Sequence, residues 1–129
     1  MKKITGDWLE AARDDLLIIH EIISNPQLTN MVAFHSQQCI EKCLKAILEE
    51  FENKVPRIHN LERLFALTSK YIEIPGITIT VIEEMDKLYT ESRYPGELGL
   101  LPEGKPSIDD ANTFYEHAQL VYDHVHQLL

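Results

Sequence analysis

Between Phe34 and Ala46 the chain reads Phe-His-Ser-Gln-Gln-Cys-Ile-Glu-Lys-Cys-Leu-Lys-Ala, and at helical pitch these residues separate into two stripes. Phe34, Ile40, Leu44 and Ile47 are spaced to face a core, whereas His35, Gln38, Lys42 and Lys45 fall on a second, polar surface. Their chemistry suits a partner that carries phosphate or hydrogen-bonding edges. Ammonium groups supply positive charge, an amide both donates and accepts, and imidazole changes charge near neutral pH. A solvated helix face is the alternative reading of the same pattern.

Two further places carry chemistry. In Arg93-Tyr94-Pro95 the proline restricts the backbone just after the aromatic residue. Arginine forks onto phosphate or carboxylate and tyrosine stacks on a base; equally, Arg93 could pair with a carboxylate of a neighbouring helix while Tyr94 packs. His59 stands just before Asn60 at the start of a short helix, where local hydrogen bonding and ligand contact are both open to it. The candidate ligand-binding set is therefore His35, Gln38, Lys42, Lys45, His59, Arg93 and Tyr94. No residue is assigned a catalytic or metal-binding role, and no cofactor is implied.

Five helices and no strand are expected to position these groups. The first runs from about Thr5 to Ser24, capped by Asp7 or Thr5, with Trp8, Ala12, Leu16, Ile19 and Ile23 on one face, and Asn25-Pro26 ends it. The second extends from about Asn30 to Glu52 and is broken by Asn53-Lys54-Val55-Pro56. Asn60 caps a short third helix that presents Leu61, Leu64, Phe65 and Leu67. The run from Ile77 to Val81 is β-prone in isolation. Pro75-Gly76 precedes it, however, and Thr80 with Glu83 makes a capping-box pattern, so a fourth helix through Met85, Leu88 and Tyr89 is expected. The stretch 93–106, rich in proline and glycine, reads as a loop whose Leu98, Leu100 and Leu101 pack on the domain or on another subunit. Ser107 and Asp110 open a last helix with Ala111, Tyr115, Ala118, Tyr122, Val125 and Leu129 in a bundle-type seam. The expected fold is all-α: an antiparallel up-and-down bundle of four main helices plus one short one, forming a single domain over residues 1–129.

Composition narrows the function classes. A chain of 129 residues, 44% hydrophobic and 26% charged, has the balance of a soluble globular protein. No stretch approaches the roughly 20 apolar residues that span a bilayer, and Met1-Lys2-Lys3 leads into Asp7, Glu10 and Arg13, so no secretory signal is expected and the cytoplasm is the expected location. The formal net charge of −9 excludes a whole-surface nucleic-acid footprint and confines any RNA contact to a local patch. Cys39 and Cys43, four apart on one helix, read as reduced core thiols. The acidic pairs Asp14-Asp15, Glu49-Glu50 and Asp109-Asp110 read as solvated or dipole-complementing charge, and His117 and His124 as surface or interface residues.

The motifs, in order, resemble a known family. Trp8, Leu9 and Ala11 with Asp14, Asp15 and Leu16 in the first helix lead the series. Phe34-His35-x-Gln37-Gln38 with Glu41-Lys42-x-Leu44-Lys45-Ala46, then His59-Asn60-Leu61 and Ser92-Arg93-Tyr94-Pro95, complete it, and together they resemble the HEPN domain from about Trp8 to Leu129. Many HEPN proteins are metal-independent ribonucleases with an arginine followed four to six residues later by histidine near the start of a late helix. After Arg93 the chain continues Tyr-Pro-Gly-Glu-Leu-Gly-Leu without a histidine, so that motif is not completed there. Arg13 and His20 have the spacing but lie in the first helix. The resemblance thus implies a non-catalytic nucleotide- or RNA-binding homodimer that partners a minimal nucleotidyltransferase in a two-component system, in some cases a toxin–antitoxin pair. A ribonuclease with an atypical site and a purely structural interaction module are the alternatives.

Overall fold

The structure, a computed structural model, describes residues 1–93 and 104–129. Helix α1 (Lys3–Ile22) is followed by a 3-10 turn (Pro26–Leu28) and by α2 (Thr29–Glu52), α3 (Leu61–Thr68), α4 (Ile79–Arg93) and α5 (Ile108–Leu128). The described residues are all-helical, with four long helices and a short α3 in a bundle.

Local chemistry sets most of the boundaries. The side chain of Asn25 accepts from the Gln27 N–H at 3.0 Å and Pro26 opens the turn, so α1 cannot run on into α2. Asn53 ends α2 in the left-handed region at φ 54°, a conformation asparagine tolerates better than most residues. Asn60 accepts from Arg63 N–H at 2.9 Å to start α3, and Ser107 accepts from Asp110 N–H at 3.0 Å to start α5. Gly76, at φ 92°, turns the chain into α4 where an added Cβ would sit 3.1 Å from Leu120, so both conformation and space favour glycine.

Two expected caps fall elsewhere. Helix α1 begins at Lys3, so Thr5 and Asp7 lie inside it; the Thr5 hydroxyl instead donates across to Glu50 at 3.0 Å. Helix α4 begins at Ile79, with the Thr78 carbonyl accepting from Val81 and Ile82 N–H groups, so Thr80 is inside the first turn and is not the cap. The main chain alone closes that turn, ahead of the side-chain pattern.

Helix α2 is the bundle's axis. It packs along α1 and α5 and also meets α3 and α4. Its residues from Cys39 to Leu48 are buried apart from half-buried Lys42. Ile40, Leu44, Ile47 and Leu48 join Leu9, Leu61, Leu64, Ile82, Met85, Phe114 and Val121 in one core cluster, each such side chain contributing about 1.5–3 kcal/mol on burial. Phe34 is only half-buried, and Leu67 of α3 is exposed. On α5 the inward residues are Ala111, Phe114, His117, Ala118, Val121 and Val125, while Tyr115 and Tyr122 are half-buried beside them. A helix covered by neighbours on this scale has little free surface. The polar stripe of α2 therefore lies largely against other helices, and its charges have to be met inside the protein.

Candidate functional site

Gln37, Glu41 and Lys45 recur every four residues and form one row along α2. Lys45 Nζ donates to Glu41 at 2.9 Å, with side chains only 6% and 7% exposed. Gln37 Nε2 donates both to Glu41, at 3.2 Å, and to the carbonyl of His59, at 2.9 Å, while Gln38 donates to the Gln37 side-chain oxygen at 2.7 Å. The imidazole of His59 approaches both Glu41 oxygens through Nδ1 at 3.1 Å. A carboxylate only accepts, so Nδ1 carries the hydrogen. His59 is thus held at its backbone by Gln37 and at its ring by Glu41, although its side chain is 48% exposed.

A second carboxylate repeats this arrangement from another helix. Asp15 of α1, with its side chain 5% exposed, accepts from His35 Nδ1 and from Lys42 Nζ, each at 2.8 Å. An aromatic row joins the two centres. Phe34 meets His35 edge-on at 5.2 Å and stacks on Tyr89 of α4 at 5.9 Å, and Tyr89 lies 5.8 Å from the His59 ring. The ring of Trp8 lies 5.9 Å from Lys45 Nζ. Asp86 of α4 completes the face: it accepts from Leu61 N–H at 2.8 Å and Glu62 N–H at 3.3 Å, capping α3 from outside. Burial pushes the Asp86 carboxyl above its ordinary value; those two N–H bonds pull it down, and the charges of Glu62 and Glu41 push it further up.

The structure thus brings five of the expected residues, His35, Gln38, Lys42, Lys45 and His59, into one connected face. Arg93 is the last residue of α4, one turn beyond Tyr89, while Tyr94 and the apolar Leu98, Leu100 and Leu101 lie outside the described residues. Asp15 and Glu41 organise the face, and neither is among the residues that the sequence pattern marks as candidates. Asp15 is not the solvated charge that its place in an acidic pair suggests, because it shares the inward face of α1 with Ala12 and Ile19. A carboxylate in an apolar register is the signal that marks it.

Other readings shift as well. His117 is buried rather than a surface group: its Nε2 accepts from Thr78 N–H at 3.2 Å and its Nδ1 donates to the Thr113 carbonyl at 3.0 Å, tying α5 to the start of α4. Glu50 is engaged by the Lys2 N–H at 2.9 Å as well as by Thr5. Cys39 and Cys43 are buried free thiols, and a hydrogen bond with Cys43 together with burial raises the Cys39 thiol well above its ordinary range. Arg13 and His20 line a separate open groove of about 560 Å³ between α1 and α5, with Tyr115 and Tyr122 on its other wall. Among the described residues no three His, Cys, Asp or Glu side chains converge as metal ligands, and no helix is long and apolar enough to cross a membrane.

The family model described as the HEPN domain matches residues 5–128. No curated protein matches the chain. Among solved structures, TT1696 from Thermus thermophilus has the same fold at a TM-score of 0.75 and 21% identity, over 99% of this chain and 100% of that one. ST0689, an archaeal HEPN homologue, matches at a TM-score of 0.70 and 28% identity, over 100% of both chains.

Proposed function

The chain belongs to the HEPN domain family, and from that premise we propose that it binds a nucleotide or single-stranded RNA at the α2 face and serves as the binding half of a two-component system with a minimal nucleotidyltransferase, in the manner of a toxin–antitoxin pair. One observation carries the reading. His59 is half-exposed on a loop, yet its carbonyl is fixed by Gln37 and its ring by Glu41, with the Tyr89 ring 5.8 Å away. A loop histidine needs no such support for stability alone; holding it costs the entropy of ordering it. Lys42, 25% exposed, and partly buried Gln38 belong to the same connected face and supply a cation and an amide. Lys45 plays a different part from that expected of a surface lysine, because its charge is taken up by Glu41.

Fluorescence anisotropy of a labelled single-stranded RNA and of a labelled nucleoside triphosphate, at two salt concentrations, tests this. Lys42→Ala is expected to weaken RNA binding and to flatten the salt slope by about 0.7, the contribution of one phosphate contact on a single strand. Absence of binding to either probe at low salt refutes the reading and leaves an interaction module. For the partner, an adjoining gene encoding a nucleotidyltransferase, and co-purification of its product with this chain, is the expected result.

A further inference from the structure

We propose that anion binding at this face is coupled to proton uptake by His35 and His59, so that the site is a proton-gated phosphate receptor; the inference rests on the binding reading above. Its basis is charge balance and the direction in which each imidazole is held. Among the described residues the face carries the carboxylates of Asp15, Glu41 and Asp86 against the ammonium groups of Lys42 and Lys45. With both imidazoles neutral, the face is net negative, in a chain whose formal charge is already −9. A phosphodiester approaching it is repelled. Two imidazolium charges turn these five groups net positive and, with Glu62 beside Asp86 counted as well, cancel the negative charge of the face.

The geometry lets that reversal happen without rearrangement. Each histidine donates its Nδ1 hydrogen to a buried carboxylate, Asp15 for His35 and Glu41 for His59, and imidazolium keeps that bond. Neither Nε2 has a protein partner among the described residues, so the added proton creates a donor that is unused by the fold. His117 shows the contrast: its Nε2 accepts from Thr78 N–H, so a proton there breaks a bond. The surroundings of the two gating rings act in the same direction. His35 faces Asp15 from α1 and Lys42 from its own helix. His59 faces Glu41 with its partner Lys45 from α2 and Tyr89 from α4, and Asp86 of α4, with Glu62 beside it, caps the start of α3 two residues further along the chain.

The test is calorimetric titration of a short oligouridylate into the intact protein between about pH 8 and about pH 6, where histidine changes charge and the phosphodiesters do not. Repeating it in buffers of different ionisation enthalpy counts the protons taken up per binding event. Affinity is expected to rise as pH falls, approaching about tenfold per pH unit for each proton bound. His59→Gln, whose amide can still donate to Glu41 but takes no proton, is expected to remove part of that rise. Binding of equal strength across the range, with no protons taken up by the parent protein, overturns the coupling and leaves the binding reading standing. No binding of the oligouridylate at any pH overturns the coupling and, with it, the RNA part of the binding reading. The proton count comes from the parent protein, so it decides the question even where a variant folds poorly.

Discussion

Replacing Glu41 with leucine strands a charge that the fold cannot solvate. Among the described residues Lys45 Nζ then keeps only the Trp8 ring at 5.9 Å, in surroundings where its side chain is 6% exposed. Breaking one side of a buried ion pair costs about 3–5 kcal/mol. With a urea m-value of about 2 kcal/mol per molar, a loss of about 4 kcal/mol lowers the unfolding midpoint by about 2 M. Lys45→Met alone is expected to cost less, about 1–3 kcal/mol, because Glu41 keeps donors from Gln37 and His59. The double variant Glu41→Leu with Lys45→Met strands no charge: one N–H of buried Gln37 loses its acceptor, but the other still donates to the His59 carbonyl, and the half-exposed His59 ring turns to water. It should therefore lie well above the sum of the two single losses, within about 2 kcal/mol of the parent. Equilibrium urea unfolding of all four proteins, followed by circular dichroism, reads the coupling directly. Additive losses, with the double variant the least stable of the four, would refute the view that Glu41 is held in place chiefly to balance Lys45.

Four other outcomes follow from particular contacts. His117→Leu deprives the Thr78 N–H of its acceptor and is expected to cost about 1–3 kcal/mol, seen as a lower melting temperature. The backbone N–H of Lys2, then the Thr5 hydroxyl, hold the Glu50 carboxyl below its ordinary value of 4.5, so its stabilising contribution is complete above that pH and is lost as pH falls through the lower folded value; Glu50→Gln should flatten the acid limb of a stability profile taken by thermal melts. Light scattering at micromolar concentration is expected to give a homodimer mass, with exposed Ile4, Leu17 and Ile18 of α1 among the apolar groups open to a second copy, and a monomer mass would exclude a cleft built from two chains. Purified protein is expected to leave RNA uncut without metal, since Arg93 lacks its following histidine; cleavage abolished by His20→Ala would instead assign chemistry to the α1–α5 groove.

Sequence by itself determined where the helices start and stop, wherever a single residue sets the boundary. Asn60 and Ser107 each offer a side-chain oxygen to a free N–H, Asn25-Pro26 cannot continue a helix, and the repeat from Ala111 to Val125 marks a seam whatever it packs on. It also grouped His35, Gln38, Lys42 and Lys45 of α2, because a histidine, an amide and lysines at helical spacing share a side regardless of context. What that side meets is a matter of tertiary structure. Lys42 finds Asp15 across 27 positions of chain, and His59 finds Glu41 across 18, pairings that no local pattern encodes. The periodicity of α2 looks the same whether its polar row faces water or buried carboxylates. Only the placement of α2 at the centre of the bundle, with α1, α3, α4 and α5 around it, turns Lys45 from a surface cation into half of a buried pair. An unpaired charge there would be too costly to bury, so the helices that cover α2 must also bring or leave room for its counter-charges.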